Sequence, residues 1–85
     1  MRGVIADPET AAKWYEKAAW QGSAKAQHNL AHLLQLGEGV ARAPEESVQW
    51  YLRAANQGSA KSAYRLVLAY YRGDGVQRDY ARALR

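Results

Sequence analysis

The chain has no cysteine in its 85 residues, which excludes a disulfide framework and any thiolate nucleophile or thiolate-bound metal. That absence suits cytosol and periplasm equally and assigns neither. A long apolar run is also missing. No stretch approaches the roughly 20 residues needed to span a bilayer, and the opening "MRGVIADPETA" holds no signal-peptide core. Membrane insertion is therefore not expected, and the compartment stays open because a leader can be lost on maturation. Valine, isoleucine and threonine are sparse beside abundant alanine, which turns the expectation from strand to helix. With 48% apolar and 24% charged residues, the composition is that of an ordinary folding chain. Its length allows a single domain, near the size where one core becomes marginal.

Charge is present but uneven. Residues 1–47 hold five Lys/Arg against six Asp/Glu, a net −1, whereas residues 48–85 hold seven against two, a net +5. A basic second half suits an acidic partner, a phosphate backbone or a solvated face.

What the chain has in abundance is self-similarity. "AAWQGSAKA" (18–26) returns as "AANQGSAKS" (54–62), and a shift of 36 residues aligns far more. Trp14-Tyr15 falls on Trp50-Tyr51, Ala18-Ala19 on Ala54-Ala55, Leu30 on Leu66, Pro8-Glu9 on Pro44-Glu45, and "GEGV" (37–40) on "GDGV" (73–76). Repeated small residues point to repeated packing rather than repeated chemistry.

Each unit reads as two helices. Asp7 is a candidate N-cap, and Pro8 suits the first helical position because its missing donor is not needed there. Ala11, Trp14, Tyr15 and Ala18 then follow an i, i+3, i+4, i+7 apolar face. Gly22 is placed to stop the first helix, and Ser23 to cap the second, which carries Leu30, Leu33 and Leu34 and ends at Gly37. The same reading gives helices near 44–57 and 59–72, with a partial fifth beginning at Asp79 ("DYARALR"). The GxG turns call for positive φ, with Val40 and Val76 plugging the corners. Paired alanines let helices approach closely, and both Trp-Tyr pairs are expected to fill the space beside them. The fold class predicted is all-α: a superhelical solenoid of stacked antiparallel helix pairs, one domain over 1–85, with repeat one at about 7–42, repeat two at about 43–78 and a partial third helix at 79–85.

These residues resemble the Sel1-like repeat family, relatives of the tetratricopeptide repeat. Its pattern runs Leu-Gly, Tyr, GxGV, Asp, Ala, Trp-Tyr, Ala-Ala, Gln-Gly, and "GVIADPETAAKWYEKAAWQGSA" (3–24) and "GEGVARAPEESVQWYLRAANQGSA" (37–60) carry most of it. "GDGVQRDYARAL" (73–84) begins another copy. The chain departs at Ala31 and Val67, where the glycine after leucine would stand and slightly wider helix spacing is expected. It departs at Leu34, where the tyrosine kept as Tyr70 would stand. It departs again at Ala43, where the family aspartate matched by Asp7 and Asp79 is lost at a cost of about 1 kcal/mol of capping. Because the chain enters and leaves in mid-repeat, a longer solenoid is expected.

Signals for chemistry are weak. His28 and His32 stand at the i, i+4 spacing that can place two imidazoles on one metal. No third ligand follows, and their repeat counterparts are Tyr64 and Leu68, so a packing role is the stronger reading. The GxG turns lack the third glycine of a dinucleotide loop and follow helices rather than strands. Glu45 and Glu46 sit in a helix first turn, where they complement the macrodipole. No Ser-His-Asp arrangement is signalled. No enzyme activity, cofactor or metal is expected.

The resemblance implies a protein-interaction adaptor, of the kind that scaffolds bacterial envelope, signalling or secretion complexes, with the first helix of each pair lining a concave side. The positions not consumed by packing are then the partner-binding set: Lys13, Glu16, Lys17 and Trp20 in repeat one, and Gln49, Leu52, Arg53 and Asn56 in repeat two. Trp20 and Leu52 are apolar where the other repeat has Asn56 and Glu16, which marks them for contact. Lys17 and Arg53 occupy equivalent positions and suit a carboxylate or an acidic peptide. Nucleic-acid binding through the basic half is the alternative. It is weakened because most aromatics are locked into the repeat and leave few stacking platforms, and it requires Arg53, Arg65, Arg72, Arg78, Arg82 and Arg85 to form one stripe. Uncovered repeat ends add an expectation of self-association.

Overall fold

In the computed structural model, residues 7–79 and residue 82 are described. They form four helices of 13 residues each: α1 (Pro8–Trp20), α2 (Ala24–Leu36), α3 (Pro44–Asn56) and α4 (Ala60–Arg72). Each boundary falls within a residue or so of the expectation, because the local chemistry behaves as its residue types dictate. The Asp7 carboxylate accepts from the Glu9 amide at 3.1 Å and from the Thr10 hydroxyl at 2.8 Å. Ser23 accepts from the Ala26 amide and Ser59 from the Ser62 amide, at 3.1 and 3.2 Å. Ala43 caps nothing. The expected fifth helix lies outside the described residues, apart from Asp79 and Arg82. There the Arg82 amide donates to Asp79 Oδ1 at 3.1 Å.

The turns after α2 and α4 bend back on the start of the helix pair they close. Gly39 has φ +74° and Gly75 φ +84°. A Cβ on Gly39 would run into the carbonyl of Pro8, and one on Gly75 into that of Pro44. Two constraints therefore demand glycine at once: a left-handed backbone and the absence of a side chain. Val40 and Val76 pack against the core beside these turns, as their place in the repeat requires.

Successive helices pack on one another, with α2 sandwiched between α1 and α3. The core runs through Leu30 and Leu34 of α2, Val48, Trp50 and Tyr51 of α3, and Leu66 of α4, with Ala19, Ala26, Ala31 and Ala69 as the close-approach points. Despite the missing family glycine, Ala31 is fully buried and its carbonyl accepts from the Ser47 hydroxyl at 2.7 Å. Alanine is therefore small enough for close approach here.

Polar links run between the repeats as well. Gln57 donates through Nε2 to the Gly22 carbonyl at 2.9 Å and to Gln27 Oε1 at 3.0 Å, and Gln27 in turn donates to the Ala19 carbonyl. At the opposite end, Arg42 pairs with Asp74 at 3.1 Å and Gln35 donates to the same carboxylate. The buried polar side chains Gln27, Ser47 and Ser62 each have a hydrogen-bond partner, as their desolvation demands.

One sequence expectation divides. Trp50 and Tyr51 fill the inter-helix space, at 3% and 1% exposure, but Trp14 is 64% exposed and Tyr15 only half-buried. Trp50 is covered because α1 lies against it, and no described element precedes α1 to cover Trp14.

Candidate functional site

The residues expected to bind a partner lie on α1 and α3, and all of them are exposed except Leu52, which is half-buried. Lys17 and Trp20 follow Trp14 at three and six residues, and Arg53 follows Trp50 at three. On a helix, i and i+3 are surface neighbours. The cations accordingly turn back over the indoles: Lys17 Nζ lies 5.8 Å from the Trp14 ring centre, and the Arg53 guanidinium lies 4.7 Å from that of Trp50. Trp20 then crosses from α1 to α3. Its ring meets Trp50 edge-on at 4.8 Å and 81°, and Arg53 is 5.0 Å from it.

Arg53 is therefore held against two indoles from two different helices. Each such contact contributes about 0.5–1 kcal/mol at an exposed site. Stacking restrains the guanidinium while its donors, which lie in its own plane, remain suited to a carboxylate fork. Arg53 takes no part in the ion pairs of the described residues, Arg42–Asp74 and Arg82–Asp79.

The rest of the set does not converge on this cluster. Lys13 and Glu16 line a separate hollow with Ala12, Gly39 and Val40. Leu52 packs toward α4, lining a hollow with Leu66, Val67 and Tyr70. Gln49 and Asn56 are exposed. Trp50 was absent from the set because its repeat position reads as core, yet it forms the floor of the cluster. The recurring Trp-x-x-cation spacing, 14/17 and 50/53, is the signal that would have found it.

The histidines are engaged elsewhere. His28 Nδ1 is 2.8 Å from Ser62 Oγ, and its ring meets Tyr51 edge-on at 5.3 Å. Burial first, then the charges of Arg65, His32 and Lys61, lower the His28 pKa. Burial raises that of the Tyr51 hydroxyl, against an opposing pull from Arg65. His32 Nδ1 is buried without a hydrogen-bond partner. Among the described residues no group of three or more His, Cys, Asp or Glu is arranged to hold a metal ion, and no helix is long and apolar enough to cross a membrane.

Four of the arginines named for a basic stripe have described neighbours that differ from one another: Arg53, Arg65, Arg78 and Arg82. Arg53 lies on the two indoles. Arg65 acts on His28 and Tyr51, and Arg78 packs its Cβ near the Gly73 turn. Arg82 lies over the Tyr70 ring at 5.4 Å and donates to its hydroxyl. Arg85 is outside the described residues.

The family model for the Sel1 repeat matches residues 2–23, 24–59 and 60–85. Among solved structures, the chain is similar to a protective antigen present in uropathogenic Escherichia coli strains and displaying an SLR fold. The identity is 43% and the TM-score 0.89 over 91% of this chain and 16% of that one. It is similar also to a Sel1 repeat protein from Oxalobacter formigenes, at 36% identity and TM-score 0.89 over 92% of this chain and 22% of that one. The chain thus spans less than a quarter of either relative's length. No curated protein matches it.

Proposed function

This chain belongs to the Sel1 repeat family, and we propose that it acts as a non-enzymatic adaptor whose α1/α3 face binds an acidic protein segment. Sel1 repeats in general mediate protein–protein interaction, on a fold that is typically a non-catalytic scaffold. The observation that carries the finer reading is Arg53 held against Trp20 and Trp50. An exposed aromatic beside a pre-positioned guanidinium is the composition of an interface hot spot. Lys17 on Trp14 repeats the arrangement one unit earlier, so an extended acidic segment along the face would meet a cation on each first helix. On this reading α1 and α3 line the concave side, and Lys13, Glu16, Gln49, Leu52 and Asn56 form its margins.

The polyanion alternative draws on the +5 charge of residues 48–85; the cluster of Arg53 with Trp20 and Trp50 supports the acidic segment instead. One titration compares the two. Intrinsic tryptophan fluorescence is followed while a poly-glutamate peptide or a single-stranded oligonucleotide is added. The peptide is expected to bind more tightly, and Arg53→Glu to weaken it at least tenfold, the loss of one charge-assisted contact and its reversal. Peptide binding unchanged in Arg53→Glu, or a stronger response to the oligonucleotide, would defeat the reading.

A further inference from the structure

The candidate face is assembled from two helices, so something must fix α1 against α3 where their indoles meet. Trp20 is the last residue of α1, a place where helices fray, and it is 64% exposed. Burial therefore restrains it only in part. Two backbone carbonyls bracket it, those of Ala19 and Gly22, and each accepts a side-chain amide from outside α1. Gln27 donates through Nε2 to Ala19 at 3.1 Å, and Gln57 through Nε2 to Gly22 at 2.9 Å. The glutamines are also joined to each other, Gln57 Nε2 donating to Gln27 Oε1 at 3.0 Å.

This arrangement fixes how both amides point. A carbonyl only accepts, so Nε2 of each glutamine must face α1, which leaves Gln27 Oε1 to take the second Gln57 proton. Gln27 is buried, so an unmatched amide there would be costly. On α3, Trp50 and Arg53 stand at i and i+3, and the C-cap Gln57 follows at i+7, along one stripe of the helix. The stripe that carries the floor and the cation of the cluster thus ends in the residue that grips α1. Repeat two has Asn56 in place of Trp20 and Ala63 in place of Gln27. Within this chain the crossing indole and the bridging glutamine therefore occur together.

We propose that Gln27 and Gln57 are positioning residues for the partner site. They hold the end of α1 on the end of α3, and so set Trp20 edge-on to Trp50 with Arg53 against both. What the cluster binds rests on the α1/α3 reading; how its indoles are held does not. Held this way, Trp20 and Arg53 are ordered before a partner arrives, which removes the cost of ordering them on binding. Neither glutamine has to touch the partner.

Two variants test this. Gln57→Ala removes an exposed side chain, and Gln27→Met removes the buried amide while keeping most of its volume. Circular dichroism gives two readouts from one spectrum. The helical bands report folding, and two indoles in close contact add a couplet of bands of opposite sign, assigned by its loss in Trp20→Phe. Well below its melting temperature, each glutamine variant should keep the helical bands and lose much of the indole couplet. Poly-glutamate should bind each about five- to tenfold more weakly than wild type, the cost of ordering two released side chains. A couplet kept at wild-type strength in either variant would overturn the proposal whatever the melting temperature does, because that glutamine would then serve stability alone. So would a lost couplet with affinity unchanged, or a wild-type chain that shows no couplet. If poly-glutamate does not bind the wild-type chain, the acidic-segment reading fails, and the couplet still decides the role of the glutamines.

Discussion

Trp14 and Trp50 occupy the same repeat position and have opposite fates. Trp50 is enclosed by Trp20, Arg53 and the core, so Trp50→Ala removes a buried indole and leaves a cavity, at an expected cost of about 3–5 kcal/mol. Trp14, at 64% exposure, has little burial to lose, and Trp14→Ala should cost below about 1 kcal/mol. Urea denaturation at dilute protein, where association is minimal, compares the two directly. Equal losses would mean that Trp14 is covered in solution even in the lone chain. The candidate partner-binding residues have the same character at this scale. Trp20 and Arg53 meet because Trp50 holds both, not because their own types attract attention.

At the scale of the element, the helices are alike in length and differ in how they begin. α1, α2 and α4 start from a side-chain cap, while α3 starts from Ala43, whose backbone is at φ −145°, ψ 81°. Elsewhere the chain already places an aspartate at this repeat position. Asp79 donates its amide to the Tyr70 carbonyl at 2.9 Å, as Ala43 does to Leu34 at 2.8 Å, and Asp79 Oδ1 receives the Arg82 amide. Ala43→Asp should therefore supply both a cap and a favourable charge at the N-terminus of α3, stabilising by about 0.5–1 kcal/mol. Chemical denaturation reads the gain. No change, or a loss, would show that packing of Ala43 against the core holds the backbone away from a capping geometry.

Across the whole molecule, the two repeats are joined by contacts that titrate. His28 on α2 meets Tyr51 of α3 and Ser62 of α4, and burial first, then the charges of Arg65, His32 and Lys61, lower its pKa. In the unfolded chain it takes a proton near its ordinary value of about 6.5, and in the folded chain only at lower pH. The unfolded state thus binds the proton first as pH falls. Stability is fully present above the ordinary value and declines between it and the folded one. The melting temperature should fall from pH 7.5 to 5.5, and His28→Gln should flatten that slope. An unaltered slope in the variant would exclude His28 as its source.

The period of 36, the four helices, their caps and the glycine turns were legible in the letters alone, because each depends on residues close in sequence or on a spacing a reader can count. Asp7, Ser23 and Ser59 cap through amides two or three residues away. Gly39 and Gly75 mark their turns wherever the rest of the chain lies. Of the candidate face, Trp20 was legible as a departure from the repeat and Arg53 as a cation matched by Lys17. Their convergence was not, since it spans α1 and α3, and Trp50 read only as core when it is both core and floor. Burial was the quantity that only the tertiary structure decided. Identical residues at positions 14 and 50 acquire their roles from whether a neighbouring helix lies against them. A repeat carries the same local instructions in every copy, and it is the neighbour on each side that makes one copy interior and another an open surface.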